Sequence, residues 1–521
     1  MNRHILSSIK RLKIYEVYLF WLIVLVHLWP LLSSQVMLTA DGPAHLYNAR
    51  LLITFLTQES PLEVYYELNS FILPNWLSHS LLAGLMNFIP ALMADKILLG
   101  AYLVLFPLAF RFCALSFTIK NRALLYFIFP FTYSFLFFFG FYNFHLGLVI
   151  CFFAFGIYFR YQSKTMSWQG LFILMLLAIL TYWAHLFVFL ILMGVVAAAI
   201  LLDLRSKKER KTFSKRGLQF LIIFSPGIIM GTFFLIQHQI EPSSIKESLS
   251  LSDAWDRLKN IEPARAVKYG KEGIFTKWLF YLYLLLLADS LFKKLKNRKQ
   301  KTPSHSLLWA GLSTLFIIAL TIIPQGSIFL GPRIFLFFFL FLTLFLATTK
   351  LNPWFKLLAF LVVSYVNIAL LKIYSEVAKS NELICMEIIE LGKRLEENSI
   401  ILPVNQSNNW LLGHASNYLG IEKPQLILEN YEASLDYFSL SWDHAYLENW
   451  QLAGNNSHNI NYPFNASNQQ MPINYLFVLK GRENSSLNIQ NELDLDKTFK
   501  NYYALTYESK GVLLYELKEG K

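Results

Sequence analysis

The sequence predicts an α-helical polytopic membrane protein of about 10–12 spans with a C-terminal extracytoplasmic α/β domain. Of the 521 residues, 55% are hydrophobic and 15% are charged, and the mean hydropathy is +0.42. Soluble proteins carry about 25% charged residues, so a soluble single-core protein and a disordered chain are both excluded. The apolar runs are continuous rather than alternating, which argues against a β-barrel.

Charge divides the chain at about residue 374. Residues 1–374 hold 35 Lys and Arg against 15 Asp and Glu, whereas residues 375–521 hold 11 against 19. Much of the basic excess lies in short loops, where positive charge orients membrane spans. We therefore expect a membrane domain over residues 1–374, a soluble domain over residues 375–521, and no nucleic-acid partner. The 3 cysteines provide no disulfide framework.

The first apolar run, about residues 15–34, is expected to leave the cytoplasm as an uncleaved anchor. It follows a basic N-terminal segment, and positive charge favours the cytoplasmic side of a span. About 20 apolar residues suffice for one crossing, and no small-residue cleavage site follows this run. Residues 35–74 would then form a first outer loop.

Two basic loops orient the later spans. Residues 205–216 and 293–301 are rich in Lys and Arg and are expected to be cytoplasmic. This orientation makes residues 237–274 a second outer loop and places residues 375–521 outside the cytoplasm. The spans that fit it are about residues 217–236, 275–292, 306–323, 333–349 and 355–374.

The stretch between residues 75 and 204 contains an even number of candidate segments, although an odd number is needed to pass from an outer to an inner loop. One segment is therefore expected to be re-entrant, interfacial or fused. The interruption around Gly140 and Asn143 makes residues 123–160 the suspect. The candidates are about residues 75–93, 97–117, 123–139, 143–160, 167–184 and 186–204.

Local patterns predict a compact α/β unit at the C-terminus. Helical apolar spacing covers residues 380–397, and residues 399–404 and 474–480 have strand composition. A terminal hairpin is expected at about residues 500–518. Two polar segments should lie near the mouth of a cavity, where they either contact an acceptor or form plain surface. They are HASNY (414–418) and NYEASLD (430–436).

The most distinctive polar residue is Asp41, which lies in TADGPAHLYNARLL (39–52) shortly after the first span. Gly42 and Pro43 start a helix there, with proline suited to the first turn. In one hypothesis Asp41 caps this helix and His45 is an interfacial aromatic side chain. In the other, Asp41 is a general base or a metal ligand, and His45 lines the same cavity.

Further polar side chains occur in apolar surroundings, where an ionisable group is costly unless it faces protein or water. Each alone could be a satisfied packing residue, but together they suggest one internal polar cavity that binds substrate. They are Tyr47, Asn48, His79 in LPNWLSHSLL (73–82), Asn143 and His145 in GFYNFHLGL (140–148), and His185 in TYWAHLF (181–187).

Arg333 stands at the outer end of a late span, in IPQGSIFLGPRIFLFF (323–338). Arginine suits bidentate contact with phosphate, and the alternative is that its side chain snorkels to the interface. We expect Arg333 to face the same outward cavity as Asp41 and His45. Asp253, Asp256 and Arg257 are better explained as a solvated loop face.

These residues resemble the GT-C fold membrane glycosyltransferases, which include protein O-mannosyltransferases and aminoarabinose transferases. Asp41 matches the acidic residue that this family places in its first outer loop, acting as a base or binding a metal. PNWLSHSLL (74–82) is similar to the Pro-opened second span, and GPRIFLFF (331–338) to the late-span arginine. Many members carry paired acids in the first loop, whereas here Asp41 is followed by Gly-Pro-Ala-His.

The resemblance implies an inverting hexosyl- or pentosyltransferase of the bacterial inner (cytoplasmic) membrane. Such an enzyme moves a sugar from a polyprenyl-phosphate donor to an extracytoplasmic lipid, glycan or protein acceptor. It implies Asp41 as the general base, Arg333 on the leaving phosphate, and His45 and His79 as orienting groups. A divalent metal is left open. The alternatives are a transporter or flippase for a lipid-linked sugar, which would show inverted repeats, and a non-catalytic membrane assembly protein.

Overall fold

A computed structural model describes residues 3–161, 166–205, 210, 212–237, 250–297, 302–322, 329–443, 473–481 and 502–518. Parts of both predicted basic loops, residues 206–209, 211 and 298–301, fall outside these residues. So do residues 238–249 of the second outer loop and residues 323–328 ahead of Arg333. The chain divides into two compact units. One comprises Met1–Ser34 and Leu99–Val377, and the other comprises Gln35–Leu98 and Ala378–Lys521.

Within the described residues, ten helices are long and apolar enough to cross a membrane. The predicted helical membrane protein is confirmed to this extent. The candidate spans are Ile14–Leu32, Ala91–Ala114, Arg122–Phe139, Tyr142–Tyr161, Leu186–Asp203, Phe213–Gln237, Tyr269–Lys296, Ser304–Ile322, Leu330–Thr348 and Pro353–Arg394. The last of these runs on past the apolar segment into the second unit.

Shorter helices complete the first unit. The suspect stretch after residue 122 is irregular, because a 3₁₀ run over Arg122–Phe131 gives way to a short α-helix, Phe135–Phe139, that ends at Gly140 with φ 96°. Glycine adopts this left-handed conformation without the steric penalty of a side chain. The other short elements are Trp29–Leu32, Trp168–Ala184, Leu251–Lys259 and Glu262–Ala264.

Aromatic side chains fill the interior of the first unit. Trp309 stacks on Phe341 with ring centroids 5.5 Å apart, which joins the helices Ser304–Ile322 and Leu330–Thr348. Phe155 and Phe159 meet the same tryptophan edge-on. Such offset and edge-to-face pairs add to the dispersion energy of a core, so the high phenylalanine content of the sequence goes into packing.

The second unit joins the first predicted outer loop to the C-terminal region. Residues 35–74, which the charge pattern assigns to the membrane domain, therefore share a compact unit with residues 378–521. The helix Leu77–Met86 of this unit has 10 residues and rises about 15 Å, half the hydrocarbon thickness of a bilayer. Its other helices are Gly42–Thr57 and the short 3₁₀ turns Pro61–Tyr65, Trp410–Leu412, Ala415–Gly420 and Glu432–Ser434.

Two sheets lie in the second unit. The larger has five strands in the order β3-β2-β5-β7-β6, with β2 parallel to β3 and β5 and the terminal hairpin β6–β7 antiparallel. The smaller pairs β1 with β4, where Tyr66 stands opposite Trp442. The strands are β1 Tyr66–Leu68, β2 Ile400–Asn405, β3 Leu426–Ile427, β4 Leu440–Trp442, β5 Tyr475–Leu479, β6 Tyr503–Glu508 and β7 Val512–Leu517.

The larger sheet confirms the predicted strands and hairpin of the C-terminal region. Residues Tyr475–Leu479 are buried throughout, as expected for a central strand covered on both faces. The short β3, by contrast, gives no periodicity that a sequence pattern could detect. This strand immediately precedes the segment that carries the carboxylates of the candidate site, so its pairing with β2 places that segment.

Candidate functional site

Asp41 immediately precedes the helix Gly42–Thr57, but its side chain does not cap that helix. The backbone N–H of Gly42 is instead donated to Thr39 Oγ1 at 3.1 Å. The Asp41 side chain is 5% exposed, and its carboxylate accepts a hydrogen bond from the Tyr431 hydroxyl. The capping hypothesis is therefore wrong for this carboxylate, which faces the polar interior of the second unit.

His414 is the nearest cationic group to Asp41. Its Nε2 lies 3.7 Å from Asp41 Oδ1, and its ring stacks on Tyr431 with centroids 4.2 Å apart. On the other side, its Nδ1 makes a short contact with Glu429. One imidazole therefore stands between two carboxylates, and the shared Tyr431 ring fixes its plane.

Glu429 is held in place by several donors. Its Oε2 accepts hydrogen bonds from Ser416 Oγ at 2.9 Å and from Asn417 Nδ2 at 2.7 Å, while Oε1 meets His414. These donors come from the 3₁₀ turn Ala415–Gly420. A buried carboxylate with three partners is fully satisfied, so Glu429 serves to orient His414.

A second cluster forms around Glu432. His79 Nε2 lies 2.8 Å from Glu432 Oε2, His45 Nδ1 lies 2.5 Å from Oε1, and the two imidazole nitrogens are 3.4 Å apart. All three side chains are buried. These ligand atoms lie within 4.8 Å of one another, so the group could hold a metal ion. The structure thus brings together His45 and His79, which the sequence analysis singles out.

Local backbone geometry aims His79 at this cluster. Asn75 takes a left-handed conformation, φ 66°, which asparagine tolerates better than most residues. Its carbonyl oxygen lies 3.3 Å from His79 Nδ1 and orients the ring so that Nε2 faces Glu432. Phe438 covers both imidazoles, with ring centroids 6.4 Å from His45 and 5.7 Å from His79.

Burial and charge shift the ionisation of these groups in opposite directions. Burial raises the pKa of Asp41 to about 6, although the positive charges of His414 and His45 pull it down. Burial alone would lower the pKa of His414, but the charge and hydrogen bond of Glu429, with Asp41 beyond, raise it to about 9. Burial alone would raise the pKa of Glu432, but the charges of His79 and His45 outweigh that effect and lower the pKa to about 2. Near neutral pH, Asp41 therefore accepts a proton more readily than Glu432 does.

Tyr47 and Asn48, predicted to bind substrate, are engaged within the protein. The Tyr47 hydroxyl donates to Gln425 O at 2.6 Å and accepts from Ile427 N at 3.1 Å. Asn48 pairs with Asn430. Both side chains therefore attach the helix Gly42–Thr57 to the segment 425–430, directly ahead of Tyr431 and Glu432.

The remaining predicted residues lie in the first unit. The Arg333 guanidinium stands 4.7 Å from the Phe141 ring centroid and 5.5 Å from that of Phe144, an arrangement that favours a cation. Phe144 also meets His145 and His185 edge-on. An arginine and two histidines therefore surround one aromatic ring.

Hydrogen bonds distinguish the two histidines of this group. His185 ends the helix Trp168–Ala184 and caps the next one, since its Nδ1 accepts from Phe187 N at 3.2 Å. His145 donates from Nδ1 to Phe141 O at 2.8 Å. Its Nε2 is buried and has no hydrogen-bond partner among the described residues. Asn143 is buried in the same helix, Tyr142–Tyr161. Asp41 and Arg333 belong to different units, and their shared cavity stays a prediction.

Glu432, Glu429, His414 and Tyr431 are site residues that no local motif identifies. His414 falls in the polar segment HASNY, Tyr431 and Glu432 fall in NYEASLD, and Glu429 immediately precedes the latter. A plain surface role is one of the outcomes expected for these two segments. Glu432 is 1% exposed, so that outcome is wrong for Glu432. Glu429, outside the two segments, is 6% exposed. The signal in the sequence was the concentration of polar residues there, but it does not reveal pairing across more than 350 positions.

The comparisons with known proteins add no family assignment. No protein-family model matches the chain, and no curated protein matches it.

Proposed function

We propose that the chain is an integral-membrane glycosyltransferase that moves a sugar from a polyprenyl-phosphate donor to an extracytoplasmic acceptor, with Asp41 as general base. The observation that carries the proposal is the environment of Asp41. It is a buried carboxylate with a raised pKa, held between Tyr431 and His414 and free of a helix-capping role. These are the properties of a general base working near neutral pH.

In the proposed reaction, the acceptor hydroxyl attacks the anomeric carbon of the donor sugar. Asp41 takes the hydroxyl proton as the new carbon–oxygen bond forms. The bond from the anomeric carbon to the phosphate oxygen breaks, and the polyprenyl phosphate leaves with the electron pair. Attack opposite the leaving group inverts the anomeric centre.

The remaining groups are assigned by their chemistry. Arg333 suits the leaving phosphate, because a guanidinium offers bidentate hydrogen bonds to such an anion. The apolar candidate spans suit a donor with an isoprenoid tail. His414, locked by Glu429, tunes the basicity of Asp41 through its positive charge. We place the C-terminal region outside the cytoplasm of a bacterial inner membrane, following the positive-inside rule.

The proposal is tested by glycan and glycolipid profiling of a strain that lacks the protein, complemented with the wild type, Asp41→Asn or Glu390→Gln. Glu390 is an exposed carboxylate paired with Lys393 and serves as the matched control. We expect the wild type and Glu390→Gln to restore a missing glycan and Asp41→Asn to fail. Transfer by purified Asp41→Asn should fall by roughly 10²–10⁴, while a cooperative thermal unfolding transition shows that the variant is folded.

The two parts of the proposal fail separately. Identical profiles in the deletion strain and all complemented strains would count against any transferase and favour the transporter or assembly alternatives. A glycan that is lost on deletion but fully restored by Asp41→Asn would leave the transferase in place and remove Asp41 as its base.

A further inference from the structure

We infer that His45, His79 and Glu432 form a binding site for one divalent transition-metal ion, with zinc the ion that this ligand set favours. The inference goes beyond glycosyl transfer, because the ion would be bound whether or not the proposed reaction is correct.

The geometry of the three ligand atoms carries the argument. In a tetrahedral zinc site, with bonds of about 2.0–2.2 Å, neighbouring ligand atoms lie about 3.3–3.5 Å apart. His45 Nδ1 and His79 Nε2 are 3.4 Å apart. The carboxylate oxygens of Glu432 lie closer to the nitrogens, at 2.5 and 2.8 Å. A displacement of that carboxylate by less than about 1 Å would bring its distances to the two nitrogens into the range expected of a zinc site.

The contact between Glu432 and His45 is short but poorly aligned for a hydrogen bond. Glu432 is 1% exposed, and its Oε1 has no aligned hydrogen-bond donor in the part of the chain that the structure describes, although His45 Nδ1 is 2.5 Å away. A buried charged oxygen without a well-aligned donor is incompletely compensated for its loss of water. A cation between these atoms would satisfy the oxygen and both nitrogen lone pairs together.

The surroundings of His79 are those of a metal ligand. Histidines that bind metals usually donate their second ring N–H to a carbonyl or a carboxylate, which fixes the tautomer and orients the ring. The Asn75 carbonyl does this for His79, at 3.3 Å from Nδ1. Phe438 lies against both imidazoles and supplies the apolar cover that strengthens a metal–ligand bond.

The donor types narrow the choice of ion. Two imidazoles and one carboxylate suit zinc and its neighbours in the first transition series, whereas magnesium and calcium prefer sites made of oxygen ligands. Two histidines and a glutamate are also the protein ligands of several catalytic zinc sites. Asp41 is close enough to interact electrostatically with both His45 and Glu432, so an ion here would lie beside the proposed base.

The competing explanation is a metal-free cluster in which one carboxylate lies between two imidazoles. Such a cluster must offset the cost of burying its charges by its own contacts alone. The metal-free cluster binds no ion. The two explanations therefore predict different metal contents for the purified protein.

The test uses the full chain, purified in detergent through a tag without histidine, from cells grown with added zinc. Metals are quantified by mass spectrometry in the wild type, His79→Gln, Glu432→Gln and His305→Gln. His305, which packs against Phe117 and Phe159, is the matched control outside the cluster. We expect about one ion per chain in the wild type and the control, and a loss of at least tenfold in the other two variants, as expected on removal of a zinc ligand.

A second measurement needs no variant. The wild type is treated with a chelator and returned to zinc, and its thermal unfolding temperature is recorded in both states, because an ion that binds only the folded protein must stabilise it. A metal-free wild type, an ion retained in both ligand variants, or an unfolding temperature indifferent to zinc would overturn the inference. Since no substrate is involved, none of these outcomes bears on the transfer reaction.

Discussion

Asn48 and Asn430 exchange two hydrogen bonds between their side-chain amides. Asn48 Nδ2 donates to Asn430 Oδ1 at 2.9 Å, and Asn430 Nδ2 donates to Asn48 Oδ1 at 2.8 Å. Both side chains are buried. Asn48 lies in the helix that starts beside Asp41, and Asn430 immediately precedes Tyr431. The pair therefore holds these two parts of the candidate site in a fixed relative position.

We therefore expect Asn48→Ala to destabilise the protein. The substitution leaves the amide of Asn430 buried without its partner, at a cost of about 1–3 kcal/mol. The measurement is thermal unfolding in detergent. Asn87→Ala is the control, because Asn87 is exposed and its side chain donates to Ala83 O in the helix that it follows. Equal unfolding temperatures for the two variants would show that the amide pair contributes nothing.

The sequence predicts the spans better than it predicts the site. A long apolar run can only become a helix in lipid, because its backbone groups must be satisfied within the segment, and so composition decides this level of structure. The helix Leu77–Met86 is one exception. Its apolar pattern extends to residue 93, but Pro90 interrupts it, and proline ends a helix because it lacks an N–H donor.

The site depends on contacts that no local pattern encodes. Asp41, His45 and His79 are conspicuous because charged or imidazole groups are rare in apolar surroundings. Glu432 lies in a polar segment where a carboxylate is ordinary, and only the fold brings it 2.8 Å from His79. The sequence does not reveal the role of Asn48 either. An asparagine beside a tyrosine suggests a ligand-binding residue, whereas the structure shows that Asn48 pairs with Asn430.

The topology proposed for the chain predicts opposite labelling of two introduced cysteines. Leu505, 48% exposed on β6, should react with a membrane-impermeant maleimide outside the cytoplasm when replaced by cysteine. Lys215, exposed in the first predicted basic loop, residues 205–216, should react as Lys215→Cys only after the membrane is opened. The native cysteines Cys113, Cys151 and Cys385 are buried and give little background. The reverse pattern would reject the orientation given by the positive-inside rule.

The last prediction concerns the pH dependence that His414 imposes on stability. His414 faces Glu429, Asp41 and Glu432, and their charges raise its pKa from 6.5 to about 9. Protonated His414 therefore stabilises the folded state fully below pH 6.5, and this contribution is lost as the pH rises from 6.5 to about 9. Asp41 acts in another window: its pKa is raised from 3.8 to about 6, so stability falls as the pH rises between those values.

His414→Gln should flatten the pH dependence of the unfolding temperature between pH 6.5 and 9, the two ends of the His414 shift. About a quarter of the His414 side chain is exposed, 26%, so solvent screens part of the effect. The same variant removes a positive charge that lowers the pKa of Asp41, and the acidic limb of transfer activity should therefore move to higher pH. A purely structural role for His414 would lower stability equally at every pH and leave that limb in place. If the unfolding temperature of the variant followed the same pH dependence as that of the wild type, the charge of His414 would not contribute to the stability of this site.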